Sequence, residues 1–329
     1  MNDRNTADED RPWVSIMIPV YNRADLVGES IASALAQTVR DLEVVVVDNA
    51  STDGTWGVVQ DWARRDSRIR AFQSEENVGP VRNWARCFAE ARGVLGKMLF
   101  SDDLLDPTYL AATVKWLQDP ETGFVFTAAL IGESPDTATS FYAWRAASGV
   151  VGTSRYLDAA VPDRGIVPVS PGAGLFRLED MRSSLRLRIP APIRFDMSRL
   201  GAGPDVLLYL LTARHYRQVA FVSEPLAFFR AHSGSITLSN RASVSGGYRR
   251  AYGWFAHAFL PSPAREKALA RMWVDILTTE GAWRLPAAAL NRFVAEVNAP
   301  LVAIFGLWYL ARHIARRGRC WVRRKWTFW

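Results

Sequence analysis

The stretch LFSDDLLDP, residues 99–107, sets the adjacent carboxylates Asp102 and Asp103 directly after the mostly apolar run KMLF, with a third acid, Asp106, before Pro107. Adjacent acids repel when both ionise, and the end of a buried strand is a costly place for charge. A divalent cation relieves that conflict. Mg2+ or Mn2+ prefers hard oxygen ligands and needs only one or two protein carboxylates when substrate phosphates supply the rest. The bland reading is that one acid caps the helix starting near Asp106-Pro107 while the other is merely solvated. Two further polar clusters close apolar runs: Pro19 to Arg23 ends VSIMIPV, and Asp48 to Gly54 ends LEVVVV.

Apolar spacing predicts the elements that must position these clusters. Val14 to Val20 reads as a strand, Asp25 to Gln37 as a helix, and Leu42 to Val47 as a second buried strand. Thr55 to Arg64 resumes helical spacing, Ile69 to Gln73 is a shorter strand, Val81 to Arg92 a helix and Lys97 to Phe100 another strand. Such alternation means βαβ units and a Rossmann-like, mainly parallel sheet flanked by helices. Ligands bind beyond the carboxyl ends of the strands in such sheets, so the three polar clusters converge by topology. After Asp106 the pattern loosens: Phe124 to Ala129 predicts a strand, residues 139–171 an irregular stretch, and Val219 to Ser223 and Leu226 to Phe229 two short strands. From Ser262-Pro263, an N-cap and first-turn pair, the chain reads as helical through Leu310.

The 329 residues exceed what one compact core usually holds, so the expectation is a body of about 230 residues with an appendage, or two domains. The net charge of +7 is local: Arg312, Arg316, Arg317, Arg319, Arg323, Arg324 and Lys325 are seven cations with no acid among them, and the rest of the chain is neutral. A nucleic-acid-binding body, with basic residues lining a face, is therefore not expected. Cys87 and Cys320 form no CxxC spacing, which leaves a disulfide framework or structural zinc site unsupported and makes a reducing cytosol the default. The polar, acidic residues 1–12 read as a disordered lead-in rather than a signal peptide. A dinucleotide site is also disfavoured, because PVYNRADLVG follows the first strand where a GxGxxG would be needed, and no GxxxxGK[ST] occurs.

Taken in order, VSIMIPVYNR, VVVVDNASTDGT, NVGPVRNWARCFAEARG and LFSDDLLDP resemble glycosyltransferase family 2, the GT-A-fold enzymes that use nucleotide-activated sugars. PGAGLFR, GPDVLLYLL and SEPLAFFRAHSGSIT extend the resemblance through about residue 237. The resemblance implies a GT-A catalytic domain over 13–240, with a nucleotide-sugar half at 13–106 and an acceptor half at 107–240, and a helical extension over 241–329. Pro19, Tyr21, Asn22 and Arg23 would form the loop against the nucleotide. Asp48 would hydrogen-bond the base, its local alternative being a turn-forming Asp with Ser51 or Asp53 capping the next helix. Arg82 and Asn83 would approach the ribose or base, although a solvated helix face is the plain alternative for Arg82. Trp84 and Phe88 read as core.

Family members often carry DADD at the metal motif, whereas this chain reads Phe100-Ser101-Asp102-Asp103, so the first acid is absent. The resemblance then makes Asp102 a metal ligand that also meets the nucleotide, and Asp103 a metal ligand or its supporting partner, with Mn2+ or Mg2+ as cofactor. His232 would be a third ligand or a phosphate contact, Arg230 would neutralise diphosphate, and Ser235 or Thr237 would donate to it. Asp205 occupies the position of the family's catalytic base, with Pro204 where a glutamate usually precedes it; the alternative is a first-turn helix acid. The implied reaction is inverting transfer of one sugar from a nucleotide-sugar donor to a hydroxyl acceptor, in bacterial cell-surface polysaccharide or glycolipid synthesis. No QxxRW occurs, so distributive rather than processive transfer is expected.

Ala299 to Leu310 is an apolar run followed by ARHIARRGRCWVRRKWTFW. It falls short of the roughly 20 apolar residues that span a bilayer. Arginines interleaved with aromatics suit a helix lying on an anionic membrane, the alternative being packing on the catalytic domain or a second subunit. The expected location is the cytoplasm, peripheral on the inner face of the plasma membrane, with a glycan or lipid-linked acceptor. Two other functions fit the same sheet: a nucleotidyltransferase with paired acids, and a non-catalytic nucleotide-sugar or glycan-binding module.

Overall fold

The β-branched runs VSIMIPV and LEVVVVD become β1 (Val14–Val20) and β2 (Leu42–Asp48), and every residue in both is buried. That is what unbroken apolar strands covered on both faces require. β2 pairs in parallel with β1 and with β3 (Ile69–Gln73), while β4 (Leu95–Met98) lies on the other side of β1, again in parallel. Crossovers are made by α1 (Val27–Leu35), α2 (Thr55–Arg65) and α3 (Pro80–Glu90). Val27, Ile31 and Ala34 of α1 share one buried cluster with Ile16, Ile18, Val44 and Val46 of the sheet. The strand expected at Lys97–Phe100 lies two residues earlier, so Phe100 falls beyond its end.

The computed structural model describes residues 11–311, apart from 139, 145–146, 162–166, 191–192, 200, 232–240, 281–284, 292 and 295. The chain divides into two units, 1–188 with 196–248, and 189–195 with 249–329. The lead-in over 1–10 and the basic stretch from Arg312 onward lie outside the described residues.

In the first unit the sheet continues through β5 (Leu104–Leu105), β6 (Thr122–Gly132), β7 (Ser140–Tyr142), β8 (Gly149–Gly152), β9 (Gly174–Arg177) and β12 (Gln218–Arg230). Two-residue strands β10 (Arg188–Ile189) and β11 (Phe195–Asp196) stand apart from it. The order β3-β2-β1-β4-β9-β6-β12-β5 reverses direction between β1 and β4, which opens a crevice at their carboxyl ends. β9 runs antiparallel to both β4 and β6, and β6 is parallel to β12. The two short strands expected at 219–223 and 226–229 are one strand. Its register slips on either side of Pro225, whose missing N–H breaks the ladder and gives the sequence its two-strand appearance. The stretch expected to be irregular holds β7, β8 and α5 (Thr153–Ala160).

Past the acid doublet comes α4 (Tyr109–Thr113), entered through Asp106, whose Oδ1 accepts from the Thr108 amide at 2.8 Å. α6 (Leu178–Ser184) follows β9, and every residue of α7 (Pro204–Ala213) is buried. Tyr209 of α7 meets Phe124 and Phe176 edge-on, each at 4.9 Å between ring centroids, so α7 is anchored to β6 and β9 by aromatic packing. The second unit is helical, and its helices begin earlier than Ser262-Pro263. α8 (Arg241–Phe259) enters it at Arg249, and α9 (Ala264–Glu280), α10 (Pro286–Leu290) and α11 (299–311) follow.

At the amino ends of the strands, buried Glu43 accepts from Ser15 Oγ and the Arg92 amide, each at 2.6 Å, and from Arg70 Nη1 at 3.0 Å. Gly93 donates its amide to the same Ser15 hydroxyl at 2.8 Å. A Cβ at Gly93 would stand 2.6 Å from the Ser15 nitrogen and 2.9 Å from the Leu95 oxygen, and neither backbone atom can yield cheaply. Gly93→Ala should therefore destabilise the protein by about 1–3 kcal/mol, read as a lower urea midpoint at unchanged slope.

Candidate active site

The chain leaves β1 through Tyr21, which is 43% exposed, and Asn22, whose φ of 50° is a left-handed conformation that asparagine tolerates. This loop is laced to the one after β2. The Asn22 amide donates to Ser51 Oγ at 2.9 Å, the Thr52 amide donates to Asn22 Oδ1 at 2.9 Å, and the Arg23 amide donates to Thr55 Oγ1 at 2.8 Å. Asp53 accepts from the Thr55 and Ala24 amides, which fixes the entry to α2. Pro19 lies inside β1 and is buried.

Asp48 is buried at the end of β2. Its Oδ1 accepts from Ser51 Oγ, while Oδ2 accepts from the Ser51 amide at 3.2 Å and from Gln73 Nε2 at 3.0 Å. Sequence reasoning did not single out Gln73; its place at the end of the neighbouring strand was the available signal. Asn83 is likewise turned inward, donating to the Val47 carbonyl at 3.0 Å, and its buried Oδ1 has no hydrogen-bond partner. Arg82 donates to Ser198 Oγ at 2.7 Å. In this arrangement Asp48 and Asn83 build the turn and its support, and Tyr21 is the side chain turned outward.

The acid doublet is held from three sides. Arg23 Nε lies 3.3 Å from Asp102 Oδ2, joining the β1 loop to the β4 loop across the switch point. Arg230, at the end of β12, donates its amide to Asp103 Oδ1 at 2.9 Å and its Nε to the Asp102 carbonyl at 3.0 Å. Its Nη2 pairs with Glu29 Oε2 at 2.7 Å. The guanidinium expected to meet diphosphate thus clasps the doublet to α1 and β12.

Beneath the doublet lies Lys97, which the sequence reading passed over because it sits inside an apolar strand. It is fully buried, donates Nζ to the Met98 carbonyl at 2.9 Å and to the Gly172 carbonyl, and stands 4.5 Å from the centre of the Tyr109 ring. Burial pulls Lys97 down to about 7, opposed by Asp103. Burial, and then the Asp102 charge, push Asp103 well above the usual carboxylate range, opposed by the Arg230 amide and the Lys97 and Arg230 cations. Phe100, in place of the missing acid, packs against Trp84 with ring centroids 5.6 Å apart.

Asp205 opens α7. Its Oδ1 accepts from the amides of Gly203 and Val206, each at 2.8 Å, and its Oδ2 accepts from the Tyr248 hydroxyl of α8 at 2.5 Å. Burial pushes this carboxyl up to about 6, against the Tyr248 hydroxyl and the Val206 and Gly203 amides. Tyr248 is 43 residues away along the chain, and no local pattern marks it. α7 is tied to the turn before β9 by Tyr209, which donates to the Ser170 carbonyl at 2.8 Å. Gly172 of that same turn accepts from Lys97.

A divalent cation fits one protein carboxylate here. No group of three or more His, Cys, Asp or Glu side chains among the described residues could hold a metal ion. Asp102 is the partly exposed member of the doublet, whereas Asp103 is buried against Arg230. A single carboxylate with diphosphate and water completing the shell satisfies the coordination habit of Mg2+ and Mn2+. His232, Ser235 and Thr237 lie outside the described residues.

The strand order and the clusters at the ends of β1, β2 and β4 define a GT-A fold. Residues 15–167 match the model of glycosyl transferase family 2. A Bacillus subtilis (strain 168) protein named as the teichuronic acid biosynthesis glycosyltransferase TuaG is 31% identical over 117 residues, covering 36% of this chain and 46% of the relative. S. aureus TarS 1–349 in complex with UDP-GlcNAc superposes with a TM-score of 0.64 at 17% identity, over 85% of this chain and 80% of that one. The mannosyltransferase PcManGT from Pyrobaculum calidifontis, in complex with GDP-Man and Mn2+, gives a TM-score of 0.50 at 21% identity, over 91% and 88% of the two chains. The chain spans less than half the length of the curated relatives it matches.

The raised pKa of Asp205 has a consequence for stability. The protonated carboxyl favours the fold below the unfolded value near 3.8, and that contribution is lost as pH rises through about 6. Asp205→Asn keeps the oxygen that accepts from the two amides and removes the titration. The variant should be the more stable one near neutrality, by on the order of 2–3 kcal/mol, with the gap closing as the buffer is lowered toward pH 4. Paired denaturant titrations across pH measure it.

Proposed function

We propose that the chain is an inverting glycosyltransferase that moves one sugar from a nucleotide-sugar donor to a hydroxyl acceptor, with Asp205 as general base. The observation that carries this reading is the Asp205 carboxylate, fixed by three donors at the head of a buried helix and tuned close to neutral pH. An acceptor hydroxyl is a poor nucleophile until a positioned base takes its proton, and a base works best with a pKa near the operating pH. In the single displacement the acceptor oxygen forms the new bond to the anomeric carbon, and its proton passes to Asp205. The bond from that carbon to the diphosphate oxygen breaks, and its electron pair leaves with the nucleoside diphosphate.

Arg23, whose Nε lies 3.3 Å from Asp102 Oδ2, would meet the growing diphosphate charge. The exposed ring of Tyr21 offers a surface for the nucleotide at the end of β1. Asp102 would hold Mn2+ or Mg2+, which supplies Lewis-acid neutralisation of the leaving diphosphate when bound. The UDP-GlcNAc named for TarS and the GDP-Man and Mn2+ named for PcManGT support a nucleotide-sugar donor and a divalent cation. TuaG's name supports a role in bacterial cell-surface polysaccharide synthesis, on a glycan or lipid-linked acceptor.

A thermal-shift panel of nucleoside diphosphates with and without Mn2+ should identify a base whose stabilisation depends on the metal. With the matching nucleotide sugar, Asp205→Asn should lose about 10²–10⁴-fold in turnover while keeping the diphosphate-induced shift. Retained turnover would remove Asp205 as the base. Pyrophosphate exchange in place of sugar transfer would point to a nucleotidyltransferase, and binding without turnover in the wild type to a binding module.

Tyr248→Phe supplies a separate check. Loss of the hydroxyl that stabilises the Asp205 anion should raise the pKa of the base and move the acid limb of the kcat–pH profile to higher pH. An unmoved limb would exclude the Tyr248 contact as a determinant of the base.

A further inference from the structure

We propose that the outer face of α11 docks the second unit on an anionic lipid surface, an inference independent of the transfer chemistry. Residues 299–311 contain no charged side chain. One side of this helix is occupied by α9: Val302 and Gly306 are buried, and a Cβ at Gly306 would stand 2.4 Å from the Trp273 ring. Lys267 and Arg271 of α9 lie 5.5 and 4.7 Å from the ring centres of Phe305 and Tyr309.

The opposite side carries Ile304, Leu307 and Trp308, which are 64%, 61% and 51% exposed. Their spacing of three and four residues places them on one face. A helix that packs one side on its own unit normally turns charge toward water on the other. This one turns two aliphatic side chains and an indole outward, the kind of patch that marks an interaction surface.

Charge selects the occupant. In the sequence, residues 312–325 carry seven Lys or Arg and no acid, with Trp321, Trp326 and Trp329 interleaved or following. An apolar groove on a protein partner gains nothing from such a run. An anionic bilayer surface does, at roughly 1 kcal/mol for each cation held near it. Aliphatic side chains and tryptophan are the groups that enter the headgroup boundary from an interfacial helix. Among the described residues no helix is long and apolar enough to cross a membrane.

The test is co-sedimentation of the full chain with vesicles of phosphatidylcholine alone and of phosphatidylcholine mixed with phosphatidylglycerol. Wild type should sediment with the anionic vesicles and not with the neutral ones, and added NaCl should release it. Ile304→Glu combined with Leu307→Glu should weaken vesicle binding about tenfold or more, because both side chains lose a favourable transfer and gain a repelled charge. Both positions are more than half exposed, so the variant should keep the wild-type melting curve and any diphosphate-induced thermal shift. Arg316→Gln combined with Arg317→Gln should weaken binding to anionic vesicles while leaving the apolar face intact. Wild type that ignores anionic vesicles would overturn the proposal, as would a double-glutamate variant that binds like wild type. A wild-type oligomer that the same variant converts to monomer, with no lipid binding in either, would reassign the face to contacts between copies of this chain.

Discussion

A buried ammonium group organises the first unit. Lys97 lies inside a sheet where burial alone drives its pKa toward 7, and its proton is held by two backbone carbonyls and favoured by Asp103. Taking charge out of water costs several kcal/mol unless geometry returns it, so such a group constrains everything that satisfies it. Gly172 belongs to the turn that Tyr209 also holds, and Tyr209 belongs to the helix that begins at Asp205. The acid doublet and the Asp205 carboxyl are thus both referred to one cation. A change that displaced Lys97 would disturb both ends of the site.

The two ends of the parallel strands show how differently one sheet can treat charge. At the amino ends Glu43 is saturated by Ser15, Arg92 and Arg70, and the network serves only to join strands. At the carboxyl ends lie the left-handed residues Asn22 and Ala50, the unsatisfied Asn83 Oδ1, and an acid pair that cannot comfortably ionise together. Costs of this kind collect where a ligand is to be received. The asymmetry agrees with ligand binding beyond the carboxyl ends of parallel strands.

What could be read from the sequence follows from the range of the forces involved. β1, β2 and β3 were legible because a buried parallel strand writes itself as an unbroken apolar run, and α1 to α3 because their buried faces recur at helical spacing. β12 was not legible as one strand because Pro225 breaks the ladder without ending the strand. Asp48, Asp102, Asp103 and Asp205 stood out by residue type, but which residues they pair with did not. Gln73 joins Asp48 from a neighbouring strand, Arg230 reaches the doublet across 127 residues, and Tyr248 meets Asp205 from a later helix. Lys97 was masked for another reason: a lysine in a strand ordinarily means an exposed edge, and only the packed sheet shows it enclosed.

Asp103 and Asp205 are the same residue type, both buried, yet their surroundings shift them by different routes. Asp103 has a second carboxylate beside it, and its raised pKa reflects repulsion added to burial. Asp205 has no acid among the causes of its shift; burial raises it, and a hydroxyl and backbone amides hold it down near 6. The first environment disfavours the anion until positive charge approaches. The second keeps the carboxylate available at neutral pH with enough basicity to accept a proton. Two acids of one residue type are thus shifted upward by different causes, repulsion added to burial in one and burial alone in the other.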